Sequence, residues 1–465
     1  MATVHTEKLA LFDLPPYNTS EDKVYYEDYP PQFFNKETFS AITFSIPPEP
    51  IDYIDLSQTE LYVKLRVEKE DGSVMDKDTQ ESVLPIDMIL NSMWASVEIY
   101  LNGKLISSSG TDYAYKSAIE TYLSYNYGAK RYLLNSIGYS GEDGRNPSGT
   151  HPYRDLPIND GLRTRATWFD STNSLGQFEE LFDKSVEFIG PLHADICNQD
   201  RLILNQVGIE LKLTPNKNSF RLICNNCTGK LIIDNIFLRV CKVAVSPEVR
   251  LGHTAALEKA NARYPYPKVD MRTFTINKGN STANFHNMFE GYIPSKVVVG
   301  IVDQRSYMGE FSSNPLNFQH FNIESIGLEV GNESIPAVPF SFNFEENKYL
   351  EGLLSLYRCG DKLWQNTDLG ITHQMYKNGC TLIAFDMDPA SSSDYTYLSV
   401  PKKGNLKLNI NFLSGLENTV TLIVYAIFPA RLEIDRTRLC TNIEVQQMIE
   451  DIQAQNIRLI TAAGT

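Results

Sequence analysis

The sequence predicts an all-β protein made of two similar β-sandwiches in one chain, with short helices in loops and at the C-terminus. Three observations favour this class. The 25 Tyr and 23 Phe among 465 residues suit half-buried pleated surfaces. Many short segments alternate apolar and polar residues with a period of two. One order of strand, hairpin, helix and closing strands occurs twice along the chain. The length allows about three ordinary domains or two large β domains.

The first predicted strands precede residue 110. "AITFSI" (41–46) alternates, and "TELYVKLRVEK" (59–69) places Leu61, Val63 and Leu65 on one face. "SVEIYLNGKLI" (96–106) contains Asn102-Gly103, a dipeptide that accepts the positive φ angles of a type I′ turn. This segment therefore predicts a two-residue β-hairpin.

A helix is predicted in "TDYAYKSAIETYLSYN" (111–126). Thr111 or Asp112 can cap it, and Tyr115, Ile119 and Tyr122 recur at helical spacing. A long Gly- and Asn-rich loop (127–182) follows, and then strands in "KSVEFIG", "VGIELKLTP" and "KLIIDNIFLRVCKVAV".

After a connector the pattern starts again. "RTFTI" (272–276) matches "AITFSI", "IGLEVGNESI" (326–335) matches the hairpin, and "NFEENKYLEGLLSLYRC" (343–359) matches the helix. In this second helix Asn343 and Glu346 have capping-box spacing, and the apolar stripe comprises Leu350, Leu353, Leu354 and Tyr357. "LKLNINF" and "TVTLIVYAIF" match the last two strands of the first half. A duplicated domain explains this order better than chance alignment of strands, and two Greek-key sandwiches in one chain make a double jelly roll with eight strands in each unit.

The predicted domains are an N-terminal arm (1–37), a first jelly roll (38–247), a connector (248–268), a second jelly roll (269–430) and a helical tail (431–465). The proline-rich arm is either extended on another surface or a loosely ordered terminus. The connector is predicted to be a short helix ended by two prolines. The tail stripe consists of Val445, Met448, Ile449, Ile452, Ile457 and Ile460. It fits either a helix beneath its own sandwich or a dock for a neighbouring protein.

Charge and segment composition narrow the function classes. The chain carries 42 basic and 57 acidic residues, a net charge of −15, and it has no run of five Lys or Arg. Direct nucleic-acid binding is therefore not expected. The start has no apolar stretch of signal-peptide length, and no apolar run is long enough for a membrane span. Seven scattered Cys do not form a disulfide framework, so we expect a soluble protein made in a reducing compartment.

Motifs for chemistry are weak. No Gly-rich phosphate loop, zinc-protease pattern or nucleophile elbow occurs in the sequence. Cys224 and Cys227 have metal-ligand spacing, with Cys241 as a third candidate, but buried thiols beside a turn are the better interpretation. Asp386 and Asp388 fit a cation site less well than a strand end. The histidines are dispersed, and the sequons at Asn18, Asn226, Asn280 and Asn332 are expected to be unused. The seven histidines are His5, His151, His193, His253, His286, His320 and His373. We assign no catalytic, metal-binding or cofactor-binding residue and expect no cofactor.

Four long blocks carry a family resemblance. They are "LPIDMILNSMWASVEIYLNGKLISSSGTDYAYKSAIETYLSYN" (84–126), "IGPLHADICNQDRLILNQVGIELKL" (189–213), "CKVAVSPEVRLGHTAALEKANARYPY" (241–266) and "ENKYLEGLLSLYRCGDKLWQNTDLGITHQMYKNGCTLIAFDMDP" (346–389). In these blocks the sequence resembles the double jelly-roll major capsid proteins of Polinton/Maverick-type elements and the related adintoviruses. The first 37 and the last 30 or so residues resemble that family less distinctly.

The resemblance implies a non-enzymatic coat subunit of a double-stranded DNA virus or virus-like element. It implies homotrimers that imitate a hexagon and tile an icosahedral shell, with the 127–182 loop at the outer crown. It further implies a penton protein and minor capsid proteins as partners, and a virion location after synthesis in the host nucleus or cytoplasm. The alternative is a carbohydrate-binding or carbohydrate-active tandem β-sandwich, for which no paired-carboxylate spacing appears.

Overall fold

A computed structural model of the chain describes residues 19–36, 40–69, 82–141, 161, 165, 168, 185–225, 228–289, 291–331, 333–388 and 401–450. The strands are β1 (Glu21–Tyr29), β2 (Ile42–Ile46), β3 (Tyr53–Lys69), β4 (Ser82–Pro85), β5 (Trp94–Leu101), β6 (Lys104–Ser108), β7 (Val186–Pro191), β8 (Ile209–Pro215), β9 (Leu222–Asn225), β10 (Gly229–Val245), β11 (Ala262–Ile276), β12 (Thr282–Phe285), β13 (Tyr292–Ile293), β14 (Lys296–Asp303), β15 (Ile323–Val330), β16 (Glu333–Ser341), β17 (Leu382–Asp386), β18 (Lys402–Lys403), β19 (Leu406–Phe412), β20 (Val420–Ile434) and β21 (Cys440–Ile443).

The α-helices are short and lie between strands. They are α1 (Ile89–Ser92), α2 (Tyr113–Ser124), α3 (Asn218–Arg221), α4 (Pro247–Leu257), α5 (Gln304–Met308), α6 (Leu350–Cys359) and α7 (His373–Asn378). Residues 445–450 form a further helical turn. Within the described residues, no helix is both long and apolar enough to cross a membrane.

Two pairs of four-stranded antiparallel sheets make two sandwiches with one topology. Sheet A has the order β1-β10-β3-β7 and sheet B the order β2-β8-β5-β6. Sheet C has the order β11-β20-β14-β17, with β21 added on β20, and sheet D the order β12-β19-β15-β16. If β1 is matched to β11 and β2 to β12, every later strand of these four-stranded orders falls in the same place. The two-stranded sheets β4-β9 and β13-β18 do not correspond in this way, because β4 follows β3 whereas β13 precedes β14. The fold is therefore a double jelly roll, as predicted.

The predicted strand faces are the observed core faces. Leu61, Val63 and Leu65 of β3 are fully buried inside the first sandwich, and Leu408 and Ile410 of β19 are fully buried inside the second. Both sandwiches share one continuous hydrophobic core cluster. Period-two alternation fixes these faces, because a slip of one residue would turn every apolar side chain outwards.

Both predicted hairpins form. Asn102 and Gly103 have φ angles of 48° and 75°, as a type I′ turn requires, and they join β5 to β6. Val330 pairs with Glu333 across the second turn, where Gly331 has a φ of 62°. The two hairpins therefore occupy equivalent places in sheets B and D, as a duplicated unit requires.

Two details of the repeat were predicted wrongly. "RTFTI" lies at the end of β11, which corresponds to β1, whereas "AITFSI" is β2 and corresponds to β12. Asn343 does accept a hydrogen bond from the Glu346 backbone N–H at 3.1 Å, but α6 begins only at Leu350. The Asn343 side chain therefore closes a turn before the helix and does not cap it.

The ends of the predicted units also differ in the structure. Residues 21–29 of the predicted arm are β1, which pairs with β10 at the edge of sheet A. Helix α4 ends at Leu257, and β11 already includes the two prolines at 265 and 267. Proline is tolerated there because β11 is an edge strand of sheet C.

The predicted tail begins inside β20 and continues as β21, which pairs with β20. Val445, Met448 and Ile449 are buried, so the described part of the tail helix packs against the rest of its own chain. The remaining stripe residues Ile452, Ile457 and Ile460 lie outside the described residues, as do most of the 127–182 loop and residues 1–18.

Candidate functional site at the junction of the two sandwiches

The outer face of sheet C packs against the first sandwich. The inner face of this sheet is identified by ring contacts to sheet D and its loops, such as Phe385 with Phe340 at 5.5 Å between centroids. Residues of the opposite parity, among them Ile423, Tyr425 and Val298, are nevertheless almost fully buried. A sheet that is apolar on both faces must be covered on both sides, and here the first sandwich supplies the second cover.

Helix α2 of the first sandwich is the element that lies against this face. Every residue from Tyr113 to Tyr122 is buried, which is unusual for a helix in a loop. The Tyr425 hydroxyl of sheet C donates to Glu120 Oε1 at 3.3 Å. The ring of Tyr115 meets Phe318 of the second sandwich edge-on at 6.2 Å. Helix α2 is thus wedged between the two sandwiches.

A buried ionic cluster is built on α2. Lys116 Nζ lies 3.1 Å from Glu120 Oε1 and 3.0 Å from Asp195 Oδ1, and all three side chains are almost inaccessible to solvent. Lys116 also donates to the His193 carbonyl, and His193 Nδ1 lies 2.8 Å from Glu120 Oε2. The segment that contains Asp195 lies beside β11 of the second sandwich. The cluster therefore joins α2 and the segment after β7 to the second sandwich.

The ionisation of this cluster follows from competition between burial and pairing. Burial by itself would lower the pKa of Lys116, but the carboxylates of Asp195 and Glu120 outweigh it and raise that pKa above its usual range. Burial would raise the pKa of Glu120, yet Lys116 and the His193 hydrogen bond bring it below the usual value. For Asp195, burial prevails over Lys116 and the pKa is raised. The Lys116 ammonium is thus the positive charge that offsets the buried carboxylates of Glu120 and Asp195.

Further polar contacts cross the junction at both ends of α2. Asp112, the residue before the helix, accepts a hydrogen bond from the Tyr307 hydroxyl at 3.0 Å and makes no side-chain bond to its own helix. Beyond the helix, Lys130 Nζ donates to the carbonyls of Tyr122 at 2.9 Å and Leu369 at 2.6 Å. Burial lowers the pKa of Lys130 to about 8. These bonds fix the relative position of the two sandwiches.

The junction encloses a cavity of about 600 Å³ beside the ionic cluster. Glu120 and His193 line it from the first sandwich, and Lys296 and Asp361 line it from the second, where they form an ion pair at 3.0 Å. These four side chains thus have charged partners, and Lys362, which also lines the cavity, donates to the Ser124 carbonyl of α2 at 2.8 Å.

The structure describes four of the five sequence candidates for metal binding. Cys224 is buried in β9 and Cys241 in β10, and Cys227 lies outside the described residues. Asp386 ends β17, as predicted, and accepts a hydrogen bond from the Asp388 backbone N–H at 3.0 Å. Across the described parts of the chain, no group of three or more His, Cys, Asp or Glu is arranged to hold a metal ion.

Sequence reasoning did not identify the ionic cluster. Lys116 and Glu120 stand four residues apart on a helix, which is the usual arrangement of a surface ion pair. The only hint was their position beside the apolar stripe of Tyr115 and Ile119. Asp195 and His193 approach only through the fold, and the sequence contained no signal for that approach.

Comparisons by sequence find one similar protein of unassigned function. No family model matches the chain. Uncharacterized protein F54H12.2 of Caenorhabditis elegans is 23% identical over 398 residues, covering 83% of this chain and 89% of that protein.

Similar solved structures come from viruses. A chain of the Sputnik virophage has a TM-score of 0.56 at 11% identity, covering 96% of this chain and 93% of its own. The mavirus major capsid protein has the same score and identity, covering 96% and 95%. The Faustovirus major capsid protein has a TM-score of 0.52 at 8% identity, covering 93% and 92%. The chain is thus a double jelly-roll protein, and its structural neighbours are viral major capsid proteins of that fold.

Proposed function

We propose that the protein is a major capsid protein, a structural and non-enzymatic subunit of a virion shell. The observation that carries the proposal is the pair of sandwiches with one strand order, packed side by side through α2 and sheet C. Capsid proteins of viruses share this architecture over more than nine-tenths of the chain. A shell subunit needs its two sandwiches in a fixed arrangement, and the hydrogen bonds across the junction support this.

The finer form of the proposal is a homotrimer. Two similar units in each chain give six around a three-fold axis, so that a trimer imitates a hexagon and tiles an icosahedral lattice around a double-stranded DNA genome. The acidic chain suits a shell whose genome is contacted by other, basic proteins. Penton and minor capsid proteins would complete the shell, and the sequence blocks support an element of the Polinton/Maverick or adintovirus type.

Mass measurement tests the proposal. Size-exclusion chromatography with light scattering should give three times the chain mass of 52.6 kDa, and negative-stain images should show pseudo-hexagonal blocks or shells. A strict monomer at micromolar concentration would contradict the coat function. It would favour the tandem carbohydrate-binding sandwich, which tolerates a single copy.

A further inference from the structure

The two sandwiches, although alike in topology, differ in what covers them. Sheet C is buried on its outer face by the first sandwich, whereas the equivalent outer face of sheet A is open in part, although Cys241 and Val243 on that face are buried. On that face Val24 and Tyr26 of β1 are 54% and 52% exposed. Tyr62 of β3 and Phe237 of β10 stack at 4.2 Å between ring centroids and are only half-buried. An apolar and aromatic sheet face of this kind marks an interaction surface.

The helices show the complementary difference. Helix α2 is buried all round because sheet C covers it. Its counterpart α6 buries Leu353 and Leu356 against its own sandwich but leaves Leu350 50% exposed. Leu354 is half-buried, and Glu351 and Arg358 are exposed on the same side of the helix. The second sandwich therefore carries an uncovered helix of the type that the first sandwich uses at the junction.

We infer that the open outer face of sheet A receives the exposed side of α6 from a second copy of this chain. The junction within one chain is the template, because the helix side of one sandwich meets the outer sheet face of the next. Two surfaces remain uncovered after this contact: the outer face of sheet A on the first sandwich and the exposed side of α6 on the second. Such a contact is heterologous, and it closes into a ring of three copies when each copy is rotated by about a third of a turn from the one before.

Charges on the two surfaces are compatible with this contact. Sheet A presents Asp28 and Arg239, which form an ion pair at 2.8 Å, together with Glu60. Helix α6 presents Glu351 and Arg358. Both surfaces thus carry both signs among their apolar side chains, and on sheet A the Arg239 guanidinium lies 5.4 Å from the centroid of the Phe237 ring. Neither surface repels the other through a single sign of charge.

This inference rests on the proposed trimer, and variants on the two surfaces test it separately. Val24→Glu on sheet A and Leu350→Glu on α6 should each raise the trimer dissociation constant at least 100-fold in analytical ultracentrifugation. Val338→Glu on β16 and Leu251→Glu on α4 are matched strand and helix controls at exposed apolar positions, and they should change it less than threefold. Circular dichroism and thermal midpoints establish that each variant is folded. Tyr26→Glu and Arg358→Glu replace any variant that is not.

Mixing the two variants provides the decisive measurement. Val24→Glu retains an intact α6 and Leu350→Glu retains an intact sheet A, so the mixture should form a one-to-one dimer that neither variant forms alone. If the wild type is a trimer and both variants also remain trimers, or if the mixture stays monomeric, the surface assignment is wrong and the capsid proposal still stands. A wild-type protein that is monomeric would instead overturn the capsid proposal itself.

Discussion

Replacing Lys116 with Met removes the only ammonium of the buried cluster and leaves the carboxylates of Glu120 and Asp195 close together. Lys116 lies 3.1 and 3.0 Å from them, and its side chain is 1% exposed. Removing one partner of a buried ion pair typically costs about 3–5 kcal/mol, because the remaining charge is left without compensation. Glu120 keeps His193 and Tyr425, so we expect a loss of about 4 kcal/mol in the free energy of unfolding at pH 7.

The loss should depend on pH in a defined direction. Without Lys116, the folded state raises the pKa of one carboxylate above its unfolded value. Stability from that group is then present at low pH and lost as pH rises through the folded pKa. The slope is about 1.4 kcal/mol per pH unit. The difference between wild type and Lys116→Met should therefore shrink by about 2 kcal/mol between pH 7 and pH 5.

Urea unfolding followed by tryptophan fluorescence measures this effect, with both proteins at one concentration because association adds to apparent stability. Lys116→Met/Asp195→Asn should recover at least half of the loss, since one uncompensated carboxylate is gone. Lys348→Met removes an exposed lysine paired with Glu346 and should cost less than about 0.5 kcal/mol. A Lys116→Met loss below about 1 kcal/mol, or one that is equal at both pH values, would refute the reasoning.

Three further predictions concern single residues of the second sandwich and the junction. Gly300→Ala places a Cβ 2.6 Å from Phe318 and 2.7 Å from Leu382, and it should lower the free energy of unfolding by about 1–3 kcal/mol in urea. Gly252→Ala, at an open position of α4, should be neutral or stabilising by up to about 1 kcal/mol. Similar values for the two variants would contradict the packing argument. Burial, with Lys377 nearby, lowers the pKa of His320 to about 4, so the stability that the neutral imidazole contributes is lost as pH falls below 6.5. Relative to His320→Gln, the unfolding free energy of the wild type should fall by about 1 kcal/mol between pH 7 and pH 5, after allowance for partial exposure. Parallel pH profiles of the two proteins would contradict a contribution from the buried imidazole. The pKa of Lys130 is lowered to about 8, so the unfolded chain binds more protons than the folded chain between pH 8 and 10.5. Relative to Lys130→Met, the unfolding free energy of the wild type should therefore rise by about 2 kcal/mol from pH 7 to pH 10 in thermal or urea unfolding. A constant difference between the two proteins would show that burial of the charged amine does not destabilise the fold.

The duplication was visible in the sequence because it rests on local patterns. Period-two alternation identifies strand faces, and Asn102-Gly103 fixes a turn through the φ angles that its residues accept. The match of "RTFTI" to "AITFSI" failed for the same reason, since two short alternating segments look alike wherever they lie. Only hydrogen-bond pairing distinguishes β11, a neighbour of β20, from β2, a neighbour of β8.

The sequence by itself determined the class of fold, the two hairpins and the helix after each, because backbone preferences and the alternation of apolar side chains act over a few residues. The tertiary structure alone decided what each helix does. Lys116 and Asp195 are far apart in the chain, and they meet only because the first sandwich brings α2 against the segment after β7. Equal local patterns thus gave a fully buried α2 and a half-exposed α6, because burial depends on which surface arrives from elsewhere in the chain.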